Sequence, residues 1–108
     1  MAAATEPSPR IQANMTHELG CALWALHGQF NYKDDVCQVD VTPEETVLFC
    51  HAVPLARNSK GDLYILPRVA NTIGRIHVNW PYAPTYVIDE TLKVLWETFP
   101  KAKEWREP

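Results

Sequence analysis

Hydrophobic and polar residues alternate most regularly across residues 62–80, DLYILPRVANTIGRIHVNW. Alternation with a period of two is typical of a β-strand that has one buried face. A short polar break in the middle can reverse the chain, so the segment predicts a β-hairpin. Pro67 cannot donate a ladder hydrogen bond, which favours an edge strand or a bulge at that position. We expect Ile76, Val78 and Trp80 to enter the core from the second strand.

Two other segments show apolar residues at helical spacing instead. The first runs from about residue 15 to residue 30, and the second runs from about residue 85 to residue 99, where Pro100 ends it. Apolar residues three and four positions apart form one face of a helix, so both segments predict amphipathic helices. The predicted core-facing residues are Leu19, Leu23, Leu26 and Phe30 in the first helix and Ile88, Leu92, Leu95, Trp96 and Phe99 in the second.

Shorter segments lie between these elements. Residues 36–41, VCQVDV, alternate and predict a half-buried strand with Cys37, Val39 and Val41 on one face. Residues 54–61, PLARNSKG, contain the turn formers Pro, Asn, Ser and Gly and predict an exposed loop.

A helix start follows the predicted strand. Thr42 at the N-cap, Pro43 at the first helical position and Glu45 at the third match the capping pattern of a helix N-terminus. Residues 43–53 therefore favour a short helix. The apolar run at 46–50 is also compatible with a buried strand, because periodicity cannot assign so short a segment.

Together these elements predict a single α+β domain, in which the two long helices, N- and C-terminal, pack on one face of a small antiparallel sheet. A chain of 108 residues that is 46% hydrophobic is long enough for one core. We assign residues 14–100 to this domain and residues 1–13, which are polar and contain two prolines, to a disordered tail. Residues 101–108 form a C-terminal tail whose Trp105 is expected to fold back onto the domain.

Cysteine count and hydropathy indicate the compartment. The three cysteines leave at least one thiol unpaired, which is typical of a reducing environment. No apolar run approaches the roughly 20 residues that a membrane-spanning helix needs, and the first residues do not resemble a secretory signal. We therefore predict a soluble cytoplasmic protein that does not bind a membrane.

Charge is unevenly distributed along the chain. Residues 51–80 contain four cationic side chains against Asp62 alone, which gives this segment a net charge of +3. Because the whole chain has a net charge of −3, the other residues together carry −6. Such asymmetry predicts a molecule with one basic side. If residues 62–80 form a hairpin, Arg68, Arg75 and His77 lie on its solvent face.

Motifs for common enzyme chemistry are absent from the sequence. No paired cysteines or histidines have zinc-ligand spacing, and neither G-x-G-x-x-G nor the P-loop pattern occurs. We therefore predict no cofactor and no bound metal. The enzyme alternative that stays open is a small cysteine-dependent or metal-dependent enzyme, with Cys50 as a nucleophile and His77 as its base.

The function that we predict is a non-catalytic binding, adaptor or inhibitor module that recognises another protein. Arginine, tryptophan and tyrosine are enriched in protein interfaces, and the predicted partner-binding residues are Arg68, Arg75, His77, Trp80 and Tyr82. An alternative is that the same face binds single-stranded RNA or DNA, although an isoelectric point near 5.7 is acidic for that role. The hairpin edge can also pair with a second copy of the chain, giving a homodimer.

Overall fold

Six strands form one mixed sheet in the computed structural model, which describes residues 17–106. The strands are β1 (Tyr32–Lys33), β2 (Cys37–Val41), β3 (Thr46–Cys50), β4 (Val53–Ser59), β5 (Asp62–Ile65) and β6 (Lys103–Glu104). They are neighbours in chain order; the first five are antiparallel, and β6 pairs in parallel with β5. The helices in the described part of the chain are α1 (His17–Gly28), α2 (Ala70–Asn79) and α3 (Thr85–Thr98). The tail predicted at residues 1–13 lies outside the described residues.

Tight turns join the central strands. His51 and Ala52 connect β3 to β4 with φ angles of 51° and 69°, and Lys60 and Gly61 connect β4 to β5 with φ angles of 54° and 85°. Two-residue turns with positive φ at both positions match the right-handed twist of the flanking strands. These turns therefore fix the register of the meander.

The inner face of the sheet is a continuous apolar row. Val39 pairs with Leu48, Leu48 with Ala56, and Ala56 with Ile65, and all four residues are fully buried. Helices α1 and α3 contact this sheet, while α2 contacts α3. The buried residues of the sheet and the helices form one core cluster.

Both predicted amphipathic helices are confirmed. Ile88, Leu92 and Leu95 of α3 are fully buried, as their spacing predicts. In α1 the predicted leucines are buried too, but Phe30 is 51% exposed. The helix ends at Gly28 because Gln29 takes a left-handed conformation with φ 59°, which carries the chain away from the core before Phe30.

The prediction of a helix at residues 43–53 is wrong, since this stretch contains β3. The hydroxyl of Thr42 accepts the backbone N–H of Glu45 at 3.1 Å, as it would at a helix start. Here, however, the backbone N–H of Thr42 also donates to the carbonyl of Glu45 at 2.8 Å, which closes a hairpin turn between β2 and β3. The same local bond serves both structures, and the apolar run at 46–50 decides for the strand.

The predicted hairpin at residues 62–80 is also wrong, because only β5 is a strand and α2 follows it. Thr72 and Ile76, one helical turn apart, are buried, whereas Val78 is 76% exposed. The helix buries residues that lie four positions apart. Residues with this spacing also share one face of a strand, so the alternating pattern of this segment fits either structure. A small antiparallel sheet covered by two long helices is therefore replaced, within residues 17–106, by a larger mixed sheet with three helices.

Residues 54–61, predicted as an exposed loop, contribute most of β4. Leu55 and Ala56 are fully buried. Phe49 pairs with Pro54 and Leu48 pairs with Ala56, so Leu55 is an extra residue that forms a bulge. Pro54 is tolerated in this inner strand because it lies next to that irregularity.

The C-terminal segment folds back onto the sheet. The backbone N–H of Trp105 donates to the carbonyl of Ile65 at 2.8 Å, and the indole packs against the core cluster. The sequence predicted that Trp105 folds back onto the domain because its indole has a large apolar area, and the structure agrees. It follows that β6 occupies the edge of β5 that the second hairpin strand was predicted to fill.

We expect Leu92→Ala to lower the free energy of unfolding by about 2 to 5 kcal/mol, because it removes a fully buried side chain from α3 and leaves a cavity. The exposed neighbour Lys93 is the matched control, and Lys93→Ala should change stability by no more than about 0.5 kcal/mol. Urea unfolding followed by circular dichroism measures both. Equal effects of the two variants would contradict the assigned helix face.

We expect Ala52→Gly to raise the free energy of unfolding by about 0.5 to 1 kcal/mol, because glycine adopts φ 69° without strain. The reverse change at the other turn, Gly61→Ala, should lower it by about 1 kcal/mol, since φ is 85° there. Thermal unfolding of the two variants beside the parent chain provides the comparison. If both shift stability in the same direction, the turn geometry is not as described.

Candidate functional site

The five predicted partner-binding residues do not share one face. Arg68 lies in the loop between β5 and α2, Arg75 and His77 lie on α2, and Trp80 and Tyr82 lie in the connector to α3. Successive residues of a helix are rotated by about 100°, so Arg75 and His77, two positions apart, point in widely different directions. The basic sheet face predicted from the sequence is therefore replaced by a surface made of helices and loops.

Arg68 forms a two-point ion pair with α3. Its Nε donates to Oδ1 of Asp89 at 2.9 Å, and its Nη2 donates to Oδ2 at 3.0 Å. The hydrogen bond to Asp89 raises the pKa of the Arg68 guanidinium above its ordinary value. The charge of Arg68 is thus compensated, and its planar head is fixed in position.

An open groove of about 680 Å³ lies beside this ion pair, between the start of α2 and the start of α3. Val69 is 52% exposed and Tyr86 is 76% exposed at its walls. A Cβ atom added to Gly74 would meet nothing within 4 Å, so the space above this glycine is open. The residues that line the groove are Arg68, Val69, Ala70, Ile73, Gly74, Thr85, Tyr86 and Asp89.

Tyr82 projects from the connector between the two helices and is 98% exposed. Trp80 fixes that connector, because its side chain packs against the core and its carbonyl accepts the N–H of Ala83 at 3.0 Å. We refer to the groove together with Tyr82 as the α2–α3 surface. Aromatic side chains that are this exposed to water are typical of binding surfaces.

Comparison with known protein families, with curated proteins and with solved structures found no match to this chain. Among residues 17–106 no helix has the length and apolar character required to cross a membrane. In the same part of the chain, no three His, Cys, Asp or Glu side chains are grouped so that they could hold a metal ion.

The outer face of the sheet carries a second cluster of aromatic and cationic residues. The guanidinium of Arg57 lies 4.7 Å from the ring centre of Tyr64 and 5.6 Å from that of Trp105. Arg57 also pairs with Glu45 at 2.8 Å, which compensates its charge. This cluster attaches the C-terminal segment to the sheet through cation–π contacts.

Cys50 and His77 are not brought together. Cys50 is buried at the end of β3, whereas His77 is exposed on α2. The histidine that lines the cavity at Cys50 is His51, the next residue along the chain. The pairing of a Cys50 nucleophile with a His77 base therefore has no geometric support.

The sequence did not indicate Val69 and Gly74 as groove residues. The sequence indicates them only when residues 70–79 are assigned to a helix, because Val69, Ile73 and Gly74 then lie on neighbouring turns along one side of that helix. An assignment to alternating strands places these residues on opposite faces. The wrong period therefore concealed the groove.

We expect Gly74→Ala to raise the free energy of unfolding by about 0.5 to 1 kcal/mol, because alanine favours the interior of α2 and its Cβ meets open space. Gly28→Ala is the matched control: its Cβ would overlap Cε1 of Phe30, so that ring must move. Chemical denaturation of both variants measures the difference. A loss of stability in Gly74→Ala would mean that the space above Gly74 is filled.

Proposed function

We propose that this protein is a non-catalytic binding module that recognises another protein through the α2–α3 surface. The observation that carries the proposal is the exposure of Tyr82 and Tyr86, at 98% and 76%, beside an open groove. Folding leaves both rings in water. A partner that covers both rings would bury apolar area that folding leaves exposed.

The groove combines features that suit a protein side chain. Val69 and Tyr86 provide apolar walls, and Gly74 leaves room between them. The Arg68 and Asp89 pair at the rim offers polar groups that can fix the orientation of a bound chain. Apolar contact surrounded by polar groups is the usual arrangement of a protein interface.

The charge distribution supports a protein partner rather than a nucleic acid. Arg68 is paired with Asp89 and Arg57 with Glu45, and Lys103 lies 3.5 Å from a carboxylate oxygen of Asp62. Binding to phosphates depends on cations that are free to replace counterions. Each of these cations already has a carboxylate beside it.

Photochemical cross-linking tests the proposal directly. A photoreactive phenylalanine analogue replaces Tyr82, and in a control variant it replaces Val41, which is 37% exposed on β2. We expect cross-linking in an extract of the source cells to join a second protein to position 82 and not to position 41. Mass spectrometry of the adduct identifies the partner, and nuclease treatment before irradiation should leave the adduct unchanged.

A pair of substitutions in α2 then tests the groove. Gly74→Leu fills it, whereas Asn71→Leu adds the same side chain at an exposed position outside it. We expect the first variant to lose the adduct at position 82 and the second to keep it, with both helices intact by circular dichroism. Equal adduct yields would show that the groove is not the binding site.

Two other outcomes contradict the proposal of a separate protein partner. An adduct that disappears with nuclease treatment would favour the single-stranded RNA or DNA alternative. An adduct of the chain with itself would favour the homodimer. The edge predicted for self-pairing is occupied, because β6 covers β5, so a self-adduct would place the dimer contact on the α2–α3 surface.

A further inference from the structure

Two of the three cysteines lie directly opposite each other on the inner face of the sheet. Cys37 of β2 pairs with Cys50 of β3, and both are free thiols. The N–H of His51 donates to the carbonyl of Val36 at 2.9 Å, which makes the neighbouring cysteine pair a non-hydrogen-bonded one. Residues in such pairs have Cα atoms about 4.5 Å apart and side chains in close contact, and this separation lies within the range of roughly 4.4 to 6.8 Å that a disulfide bond spans.

A cavity of about 420 Å³ reaches this pair from the protein surface. The cysteines themselves are only 2% and 1% exposed, so a reagent must enter the cavity to reach the sulfur atoms. Its size admits a small molecule but not a bulky one. The side chains of the cavity wall that α1 and α3 contribute are Glu18, Leu19, Tyr86, Val87, Glu90, Thr91 and Val94.

The two thiols differ in their surroundings. The neighbouring Cys50, together with burial, raises the pKa of the Cys37 thiol. The neighbouring Cys37 lowers the pKa of Cys50 against the opposing effect of burial. The hydroxyl oxygen of Thr91 lies 3.9 Å from the Cys50 sulfur and donates its own hydrogen to the carbonyl of Val87 at 2.9 Å. Asp34 raises the pKa of both thiols by its negative charge. Cys50, whose sulfur also faces a hydroxyl group, is the thiol to which the nucleophilic role falls, and the thiolate is the nucleophilic form.

The turn beside the pair is strained. His51 and Ala52 both have positive φ, at 51° and 69°, where hairpins of this type usually have asparagine or glycine. His51 also lines the cavity.

We propose that Cys37 and Cys50 form a redox site that reduces small hydroperoxides and closes to a disulfide. The thiolate of Cys50 attacks the terminal peroxide oxygen; the O–O bond breaks, leaving Cys50 as a sulfenic acid and releasing the alkoxide or hydroxide, which takes up a proton. Cys37 then attacks the sulfur of the sulfenic acid, the S–S bond forms, and water leaves with the thiol proton. In total, the two thiols lose two electrons. An organic hydroperoxide becomes an alcohol and one water molecule, and hydrogen peroxide becomes two water molecules. A small external dithiol such as dithiothreitol restores the thiols by exchange. This activity does not depend on the proposed protein partner.

The test uses the full chain with Cys21→Ser, which removes the third thiol and leaves the buried pair intact. Stoichiometric hydrogen peroxide is added under native conditions, and the intact mass and the peptide map are recorded. We expect the loss of two hydrogen masses, a peptide that joins Cys37 to Cys50, and full reversal by dithiothreitol. If the folded chain keeps both thiols, or gains oxygen without a disulfide, the proposal is wrong.

Single substitutions assign the order of the two steps. With Cys37→Ser in the same background, we expect a sulfenic acid at Cys50 that dimedone traps, because no second thiol resolves it. With Cys50→Ser, Cys37 should stay unmodified. Trapping at Cys37 in that variant would reverse the assigned order. Circular dichroism checks that each variant folds.

Discussion

The register of β2 on β3 determines which side chains enter the core. Each position along a strand points to the opposite face from its neighbour, so a shift by one residue would exchange the buried and exposed sets. The observed register places Val39 opposite Leu48 on the inner face, where α1 and α3 cover them. The turn between the two strands fixes it through the hydrogen bonds between Thr42 and Glu45. At the other end, the N–H of His51 donates to the carbonyl of Val36. The cysteine pair exists only because of this register.

Helix α3 connects the sheet to both candidate sites. Its buried side, which includes Ile88 and Leu92, completes the core. Its first turns contribute Tyr86, which lines the groove of the α2–α3 surface and also the cavity at the cysteines, and Asp89 holds Arg68 at the groove rim. A packed helix gives these side chains fixed positions, because movement of α3 would open the core. The binding surface and the thiol cavity therefore adjoin each other and share Tyr86.

The sequence predicted the elements whose periodicity is long and unambiguous. Helices α1 and α3 present their leucines at helical spacing over several turns, and burial of that face leaves no competing assignment. Residues 46–50 and 70–79 are shorter and are compatible with more than one period, so their assignment depends on contacts that the chain makes only after folding. The turn at Lys60 and Gly61 could be read from its glycine, whereas the turn at His51 and Ala52 carries no such residue. The α2–α3 surface was missed because residues 70–79 were assigned to a strand, although Tyr82 was correctly expected at the surface.

Nuclear Overhauser effects between Hα atoms test the register of β2 on β3 most directly. Opposite residues that do not exchange hydrogen bonds bring their Hα atoms close together. We predict strong Hα–Hα effects between Cys37 and Cys50, between Val39 and Leu48, and between Val41 and Thr46. Helical contacts three residues apart within 46–50, or Hα–Hα effects displaced by one residue, would contradict the register and with it the position of the cysteine pair.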